Sequence, residues 1–139
     1  MNLIQKSVLL LTIIGALTVA TAKDKDIFIQ GCEDNMQNKS TFASGVAIGY
    51  MGGVKDQGLL VLKKLGLPTV TGIDSKIVCR DFLLKMQNDY FKDYNPKWIL
   101  FYTTQGFVVR NNGYTMDEVK QRVKIAQEAL GTLKEKKKY

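Results

Sequence analysis

The feature that most constrains this chain is a glycine-rich apolar stretch at 41–56, TFASGVAIGYMGGVKD. An interior glycine costs a helix about 1 kcal/mol relative to alanine, so a helix holding several needs a compensating tertiary contact. Gly45, Gly49 and Gly53 are four residues apart and therefore share one helix face. We predict that they form a helix-packing seam against another helix. The apolar run at 42–54 is shorter than the roughly 20 residues of a membrane span, which argues against a dimerising span in lipid.

The first 22 residues have the pattern of a secretory signal peptide. Lys6 supplies the positive start, 8–19 is an apolar core, and Ala20-Thr21-Ala22 is a small-x-small cleavage site. The apolar core is short for a retained anchor. We therefore expect cleavage, a periplasmic location with no stable membrane span, and one domain at 23–139, which is an ordinary domain length.

The charge balance is moderately basic, with 20 Lys and Arg against 13 Asp and Glu and a net charge of +7. Much of the excess lies in the final run at 134–138, which is typical of a solvated helix end. We expect no nucleic-acid ligand in an exported protein. Contact with an acidic protein or an anionic envelope surface stays open.

Two cysteines, Cys32 and Cys79, remain in a chain predicted to enter an oxidising compartment. An even pair there indicates one disulfide, which would stabilise the fold by roughly 4 kcal/mol in the chain-entropy model. The alternative is a free reactive thiol. Such a thiol needs a base or a cationic neighbour, and the chain contains no histidine.

Hydrophobic periodicity and capping residues predict a small single-domain, all-α bundle of about five helices. The predicted helices are 24–36, about 41–64 with Ser40 or Thr41 as cap, 76–93 after Asp74 or Ser75, a fourth after Asn95-Pro96, and a fifth after the capping-box pattern at Thr115. The third carries a core stripe of Cys79, Phe82, Leu83, Met86 and Tyr90. The fifth carries one of Val119, Val123, Ala126, Leu130 and Leu133.

The segment 97–110, KWILFYTTQGFVVR, is ambiguous. Its aromatic and β-branched residues around Gln105-Gly106 also suit a β-hairpin. We favour a helix, because Asn95 and Pro96 are strong helix-start residues and the neighbouring segments are helical.

The sequence contains few residues that are suited to catalysis or to binding a metal or cofactor. Without histidine the chain lacks the usual general base, the commonest zinc ligand and the Ser-His-Asp or Cys-His arrangements. The run GYMGG lacks the Lys-Ser/Thr of a phosphate-binding loop. We therefore predict a protein that is not an enzyme, with no catalytic residues, no metal site and no cofactor.

Aromatic residues are concentrated within a short segment of the chain: Tyr90, Phe91, Tyr94, Trp98, Phe101, Tyr102 and Phe107. One interpretation is that they fill the core and a helix junction. The other is that some form an exposed patch for a protein partner, because aromatic anchors dominate interfaces. We take Tyr94, Trp98 and Tyr102 as the candidate contact residues.

Several of these features together resemble the Rap/Tai family of periplasmic immunity proteins associated with type VI secretion. The matching features are an export signal, Cys32 after a short acidic helix, the run GYMGGVKD at 49–56, Cys79, and YFKDYNP at 90–96. The likeness covers roughly 27–110. The resemblance implies a non-enzymatic protein that binds and neutralises a secreted toxin or effector, either as a monomer or as a homodimer.

A weaker resemblance is to HdeA-type acid-stress chaperones, which are small, exported and helical with one disulfide. Cys32-Glu33-Asp34 looks like their CEDF start, although those proteins usually end soon after the second cysteine. This resemblance implies an acid-activated periplasmic chaperone. A phage-encoded or envelope exclusion factor is a third reading.

Overall fold

The computed structural model describes residues 25–69 and 72–136, and the regular structure within them is entirely helical. The signal peptide predicted at 1–22 lies outside the described residues, as does position 24, the predicted start of the first helix. The five helices are α1 (Ile27–Met36), α2 (Phe42–Lys64), α3 (Ser75–Met86), α4 (Pro96–Asn111) and α5 (Met116–Lys136), with a short 3₁₀ helix (Asp89–Phe91) between α3 and α4. The predicted all-α bundle is confirmed.

Side-chain caps fix where the helices begin. Thr41 caps α2 by a reciprocal pair of bonds, in which its hydroxyl accepts from the Ser44 amide at 3.1 Å and Ser44 Oγ accepts from the Thr41 amide at 2.9 Å. Asp74 caps α3 by accepting from the Lys76 amide. Asn95 caps α4 by accepting from the Lys97 amide. Each cap satisfies an amide that has no partner inside its helix.

The helices enclose two apolar clusters. In the first, α1, the N-terminal half of α2, α3 and the start of α4 bury Cys32, Ala47, Met51, Val78, Cys79, Phe82, Ile99 and Leu100. In the second, the C-terminal ends of α2 and α4, the loop after α2 and the start of α5 bury Leu62, Leu67, Val108, Val109 and Val119. Both α2 and α4 therefore contribute to both clusters.

The predicted disulfide joins Cys32 of α1 to Cys79 of α3, with a Cα–Cα distance of 5.0 Å. Both cysteines are fully buried in the first cluster. The side-chain amide of Asn35 lies beside the bond and donates to Ser75 Oγ at 3.3 Å. The disulfide thus fixes α1 onto α3 at the centre of the larger cluster.

The ambiguous segment 97–110 is helical, as favoured from its cap residues. Its buried threonines satisfy their own hydroxyls within the helix. Thr103 Oγ1 donates to the Ile99 carbonyl at 2.6 Å, and Thr104 Oγ1 donates to the Leu100 carbonyl at 2.7 Å. These bonds let β-branched polar residues occupy a buried helix face without an unpaired group.

The predicted glycine seam is wrong for the described residues. Gly45, Gly49 and Gly53 are exposed, and a Cβ added to any of them would meet no described atom within 4 Å. The buried face of α2 is instead the one that carries Ala47 and Met51. The close helix approach occurs at Gly31 of α1, where an added Cβ would lie 2.8 Å from Ala47 Cβ and would collide with the Ala43 carbonyl. The regular spacing of the glycines predicted helix packing on a face of α2 that is in fact exposed to solvent.

Two helices differ from their predicted extents. The third helix ends at Met86, and Asn88 begins the 3₁₀ turn by accepting from the Tyr90 amide at 2.9 Å. Tyr90, predicted to face the core, is consequently exposed. The stripe of α5 is buried only at its start: Val119 lies in the second cluster, whereas Leu130 is exposed.

Candidate functional site

A groove lined by aromatic side chains lies where the 3₁₀ helix meets α4. Its rim consists of four large aromatic residues whose side chains are half or more exposed: Tyr90 (71%), Tyr94 (50%), Trp98 (53%) and Tyr102 (60%). The cavity between them has a volume of about 240 Å³. Its remaining lining residues are Lys85, Phe91, Ile99 and Thr103. We call this the aromatic groove.

The rings of the groove are held in place by one another. Tyr90 and Tyr94 stack with their centroids 6.0 Å apart, and Trp98 and Tyr102 stack at 6.3 Å. The second pair is four residues apart on α4, the spacing at which helical side chains meet. Phe91 supports the first pair by an edge contact to Tyr90 at 4.9 Å. The exposed rings are therefore preorganised.

A second layer of aromatic contact braces the α4 side of the groove. Phe101 makes edge contacts with Trp98 at 5.9 Å and with Tyr102 at 5.5 Å, measured between ring centroids. Edge-to-face pairs of this kind contribute about 0.5–1.5 kcal/mol beyond the area they bury. Two ring layers thus limit the rotamers of the exposed side chains.

The floor of the groove carries one positive charge. Lys85 Nζ donates to Thr103 Oγ1 at 3.1 Å and pairs with the Asp81 carboxylate at 3.0 Å. Ile99, also on the floor, belongs to the same buried cluster as the disulfide. The floor is therefore anchored to the buried cluster that contains the disulfide.

The phenol of Tyr94, on the rim, holds its proton more tightly than an ordinary tyrosine. A hydrogen bond with Tyr90, followed by repulsion from that neighbour when it ionises, raises the pKa of Tyr94 above its usual value of 10.0. A neutral Tyr94 ring suits aromatic and apolar contacts and presents a hydroxyl group at the edge of the groove. Such a surface offers area and hydrogen bonding together, as interface tyrosines do.

The structure brings together the three residues predicted to contact a partner, because Tyr94, Trp98 and Tyr102 all line the groove. The predicted core stripe includes Tyr90, and Lys85 is not among the predicted contact residues. The sequence does contain a sign that Tyr90 lies outside the third helix, because Asn88 is a capping residue that interrupts the helical stripe. Lys85 offered no local signal, because its role depends on a contact with Thr103 across two helices.

The other predicted site residues lie elsewhere. Cys32 and Cys79 form the disulfide behind the groove floor, and Gly45, Gly49 and Gly53 lie on the exposed face of α2. Within the described ranges, no helix combines the length and apolar composition needed to cross a membrane.

Comparison of the chain with protein-family models, with curated proteins and with solved structures finds no match.

Proposed function

We propose that this protein is a non-enzymatic periplasmic binding protein that neutralises a secreted toxin or effector by docking it on the aromatic groove. The observation that carries the proposal is the rim itself, in which four half-exposed aromatic side chains stack in pairs around one cavity. Aromatic anchors of this kind supply most of the binding energy in many protein interfaces. The Rap/Tai resemblance supplies the class of partner.

The rigidity of the groove supports the same proposal. Immobilising a side chain on binding costs about 0.5–1.5 kcal/mol, and rings that are already stacked have lost most of that freedom. The floor residue Ile99 packs in the disulfide-containing cluster, so the backbone beneath the rings is fixed as well. A partner would meet a surface that needs little reordering.

The first test is capture of the partner on this surface. The tagged protein is recovered from its own cell envelope at neutral pH, and the proteins that accompany it in near-stoichiometric amount are identified. We expect a single toxin-like protein that the Trp98→Ala variant captures at least about 30-fold less tightly, the loss typical of an interface hot spot.

The control is Leu84→Ala, which removes an equally exposed apolar side chain outside the groove. Leu84→Ala should melt within about 2 °C of the parent, because surface substitutions away from special features change stability by less than about 0.5 kcal/mol. Trp98→Ala should lose no more than the worth of its ring contacts with Phe101 and Tyr102, about 0.5–1.5 kcal/mol each. A loss in Trp98→Ala as large as that of a core truncation, about 3–5 kcal/mol, would identify Trp98 as a core residue and contradict the proposal.

A second candidate function is an acid-activated chaperone, and one observation favours it. Asp34 Oδ2 accepts from Thr41 Oγ1 at 2.6 Å and its Oδ1 accepts from Gln30 Nε2 at 2.8 Å, so a carboxylate joins the end of α1 to the cap of α2. Protonation would weaken that connection. This candidate predicts that the fold loosens below about pH 3 and then suppresses aggregation of client proteins. A fold unchanged at that pH would count against it.

A further inference from the structure

The free polar groups of the aromatic groove are chiefly hydrogen-bond donors. An ammonium group has three N–H bonds, and Lys85 donates one of them to Thr103, whose own hydroxyl proton goes to the Ile99 carbonyl. At the rim, the indole N–H of Trp98 and the phenol of Tyr102 make no hydrogen bond with any residue that the structure describes. A ligand that matches this groove therefore brings acceptors.

The groove carries no net charge to attract an ion. The Asp81 carboxylate lies 3.0 Å from Lys85 Nζ and neutralises it, and the other lining residues are uncharged. The rest of the surface is aromatic: the ring planes of Tyr90 and Tyr94 are inclined by 26°, and those of Trp98 and Tyr102 by 29°. Flat apolar groups pack well on near-parallel, half-exposed rings.

Three of the recurring modes of peptide recognition do not suit such a site. Strand addition needs a sheet edge, and the regular structure of 25–69 and 72–136 is entirely helical. Recognition of a phosphate or an acidic motif needs a cluster of arginines, whereas the one cation of the groove is already paired. One turn of a bound helix fills about 400 Å³, more than the 240 Å³ of the cavity, and its carbonyls are bonded internally.

An extended segment in the polyproline II conformation fits both properties of the groove. This conformation has no internal hydrogen bonds, so its carbonyls are free to accept. Proline has no N–H and thus needs no acceptor from the groove, while its ring supplies a flat apolar surface. Proline-rich segments dock in aromatic-lined grooves for these reasons, and they lose little conformational entropy because they are extended beforehand.

We propose that the aromatic groove recognises an extended, proline-containing segment of the partner protein. The proline rings pack on the exposed aromatic rings, and backbone carbonyls of the segment accept from the Trp98 indole, the Tyr102 phenol and an N–H of Lys85. This inference rests on the proposed function for its choice of docking surface, and it adds the chemistry of the element that the partner inserts.

The test uses Trp98 as its reporter. It is the one tryptophan of the chain, so indole fluorescence reports on the groove alone. The purified protein is titrated with two peptides of about nine prolines, which form about three turns of polyproline II helix. One peptide is made of L-proline, and the other of D-proline, which has the same composition and polarity but the opposite helix hand. We expect the L-peptide to bind at least about five-fold more tightly.

Two changes at Tyr102 separate the hydrogen bond from the ring and leave the reporter in place. Tyr102→Phe removes only the hydroxyl and should weaken binding of the L-peptide about two- to ten-fold, as loss of one hydrogen bond does. Tyr102→Ala also removes the ring and should weaken it at least about ten-fold. The matched control is Phe42→Ala, which removes an 82% exposed aromatic ring outside the groove and should leave the affinity unchanged. Unchanged far-ultraviolet circular dichroism shows that each variant remains folded.

Three outcomes would overturn the inference. The first is the absence of saturable binding of the L-peptide up to about 1 mM. The second is equal affinity for the L- and D-peptides, which would show unspecific adsorption of apolar material. The third is an equal loss in Phe42→Ala and Tyr102→Ala, which would place the binding elsewhere.

Partner capture distinguishes failure of this inference from failure of the proposed function. A toxin-like partner whose capture depends on Trp98, together with an L-peptide that does not bind, would overturn the inference and leave the proposed function standing. Binding of the L-peptide that depends on Tyr102, with no toxin-like protein captured, would support the inference and contradict the proposed function.

Discussion

At the scale of single residues, Asp34 supplies the carboxylate that joins the end of α1 to the cap of α2. It is buried, it accepts from Thr41 and Gln30 through its side chain, and its backbone carbonyl accepts from the Lys39 amide at 2.8 Å. The bond from Thr41, followed by that from Gln30, lowers the pKa of Asp34 below its usual value of 3.8. A pKa that is lower in the folded state adds stability above the unfolded pKa, and that stability is lost as the pH falls through the folded pKa.

We therefore predict that Asp34→Asn lowers the melting temperature at about pH 7, and that its difference from the parent shrinks as the pH drops below 3.8. The parent loses its carboxylate bonds there, whereas asparagine does not titrate. Melting curves recorded between about pH 7 and pH 2 measure the difference. Asp56→Asn, on the exposed face of α2, is the control and should leave the curve unchanged. A constant gap between parent and Asp34→Asn at every pH would contradict this assignment.

Gly31 and Gly49 form a natural pair for testing where helices meet. Gly31→Ala places a methyl group against Ala47 and the Ala43 carbonyl, so we expect a loss of about 1–3 kcal/mol or more from overpacking. Gly49→Ala adds a methyl group in open space and gains helix propensity, so we expect a gain of up to about 1 kcal/mol. Urea unfolding measures both. Destabilisation by Gly49→Ala would show that the exposed glycine face has an occupant.

These glycines also show what the sequence can and cannot predict about single residues. Periodicity placed Gly45, Gly49 and Gly53 correctly on one face, because helical geometry alone decides that. Periodicity could not decide whether that face is buried, since alanine and glycine both count as small residues in such a pattern. Gly31 gave no periodic signal at all, because its importance comes from a helix that crosses it.

At the scale of elements, the disulfide connects two helices through cysteines that are 47 residues apart along the chain. Replacing both cysteines with serine should cost roughly 4 kcal/mol in the chain-entropy model, and the polar hydroxyls placed in a buried cluster add to that cost. Chemical denaturation of the parent with and without reductant, alongside Cys32→Ala/Cys79→Ala, separates the two contributions. A double alanine variant as stable as the parent would show that packing alone holds α1 on α3.

The start of a helix could be predicted from the sequence wherever a capping side chain precedes it. Thr41, Asp74 and Asn95 each satisfy an orphan amide, and the predicted starts of α2, α3 and α4 fall at or next to them. The end of α3 was missed because its apolar spacing continues past Met86 to Tyr90, while the backbone turns at Asn88. The aromatic groove owes its existence to that turn, which leaves Tyr90 exposed beside Tyr94. Spacing alone could propose Tyr94, Trp98 and Tyr102, but the cavity among them depends on how two elements meet.

At the scale of the whole molecule, α5 differs from the other helices in how little of it is buried. Its contacts with the bundle lie at its start, and the segment 124–136 has no buried residue among those whose side chains are described. Isolated helices of about 12–15 residues are only marginally stable in water. We predict that backbone amides in 124–136 exchange with solvent much faster than those of α2 and α4, as measured by hydrogen–deuterium exchange.

The amides around Leu84 serve as the internal reference. Strong protection of 124–136 in the protein alone would mean that this segment is already covered.

The shared membership of α2 and α4 in both apolar clusters has a consequence for cooperativity. Unfolding of either cluster would disrupt a helix that also contributes buried side chains to the other cluster. Met51 and Leu62 both lie on α2, and Leu100 and Val108 both lie on α4. Within 25–69 and 72–123, the two clusters therefore share no boundary along which one could melt while the other stays native. We expect the two clusters to unfold together in a two-state transition, so that damage to either one is felt in the other.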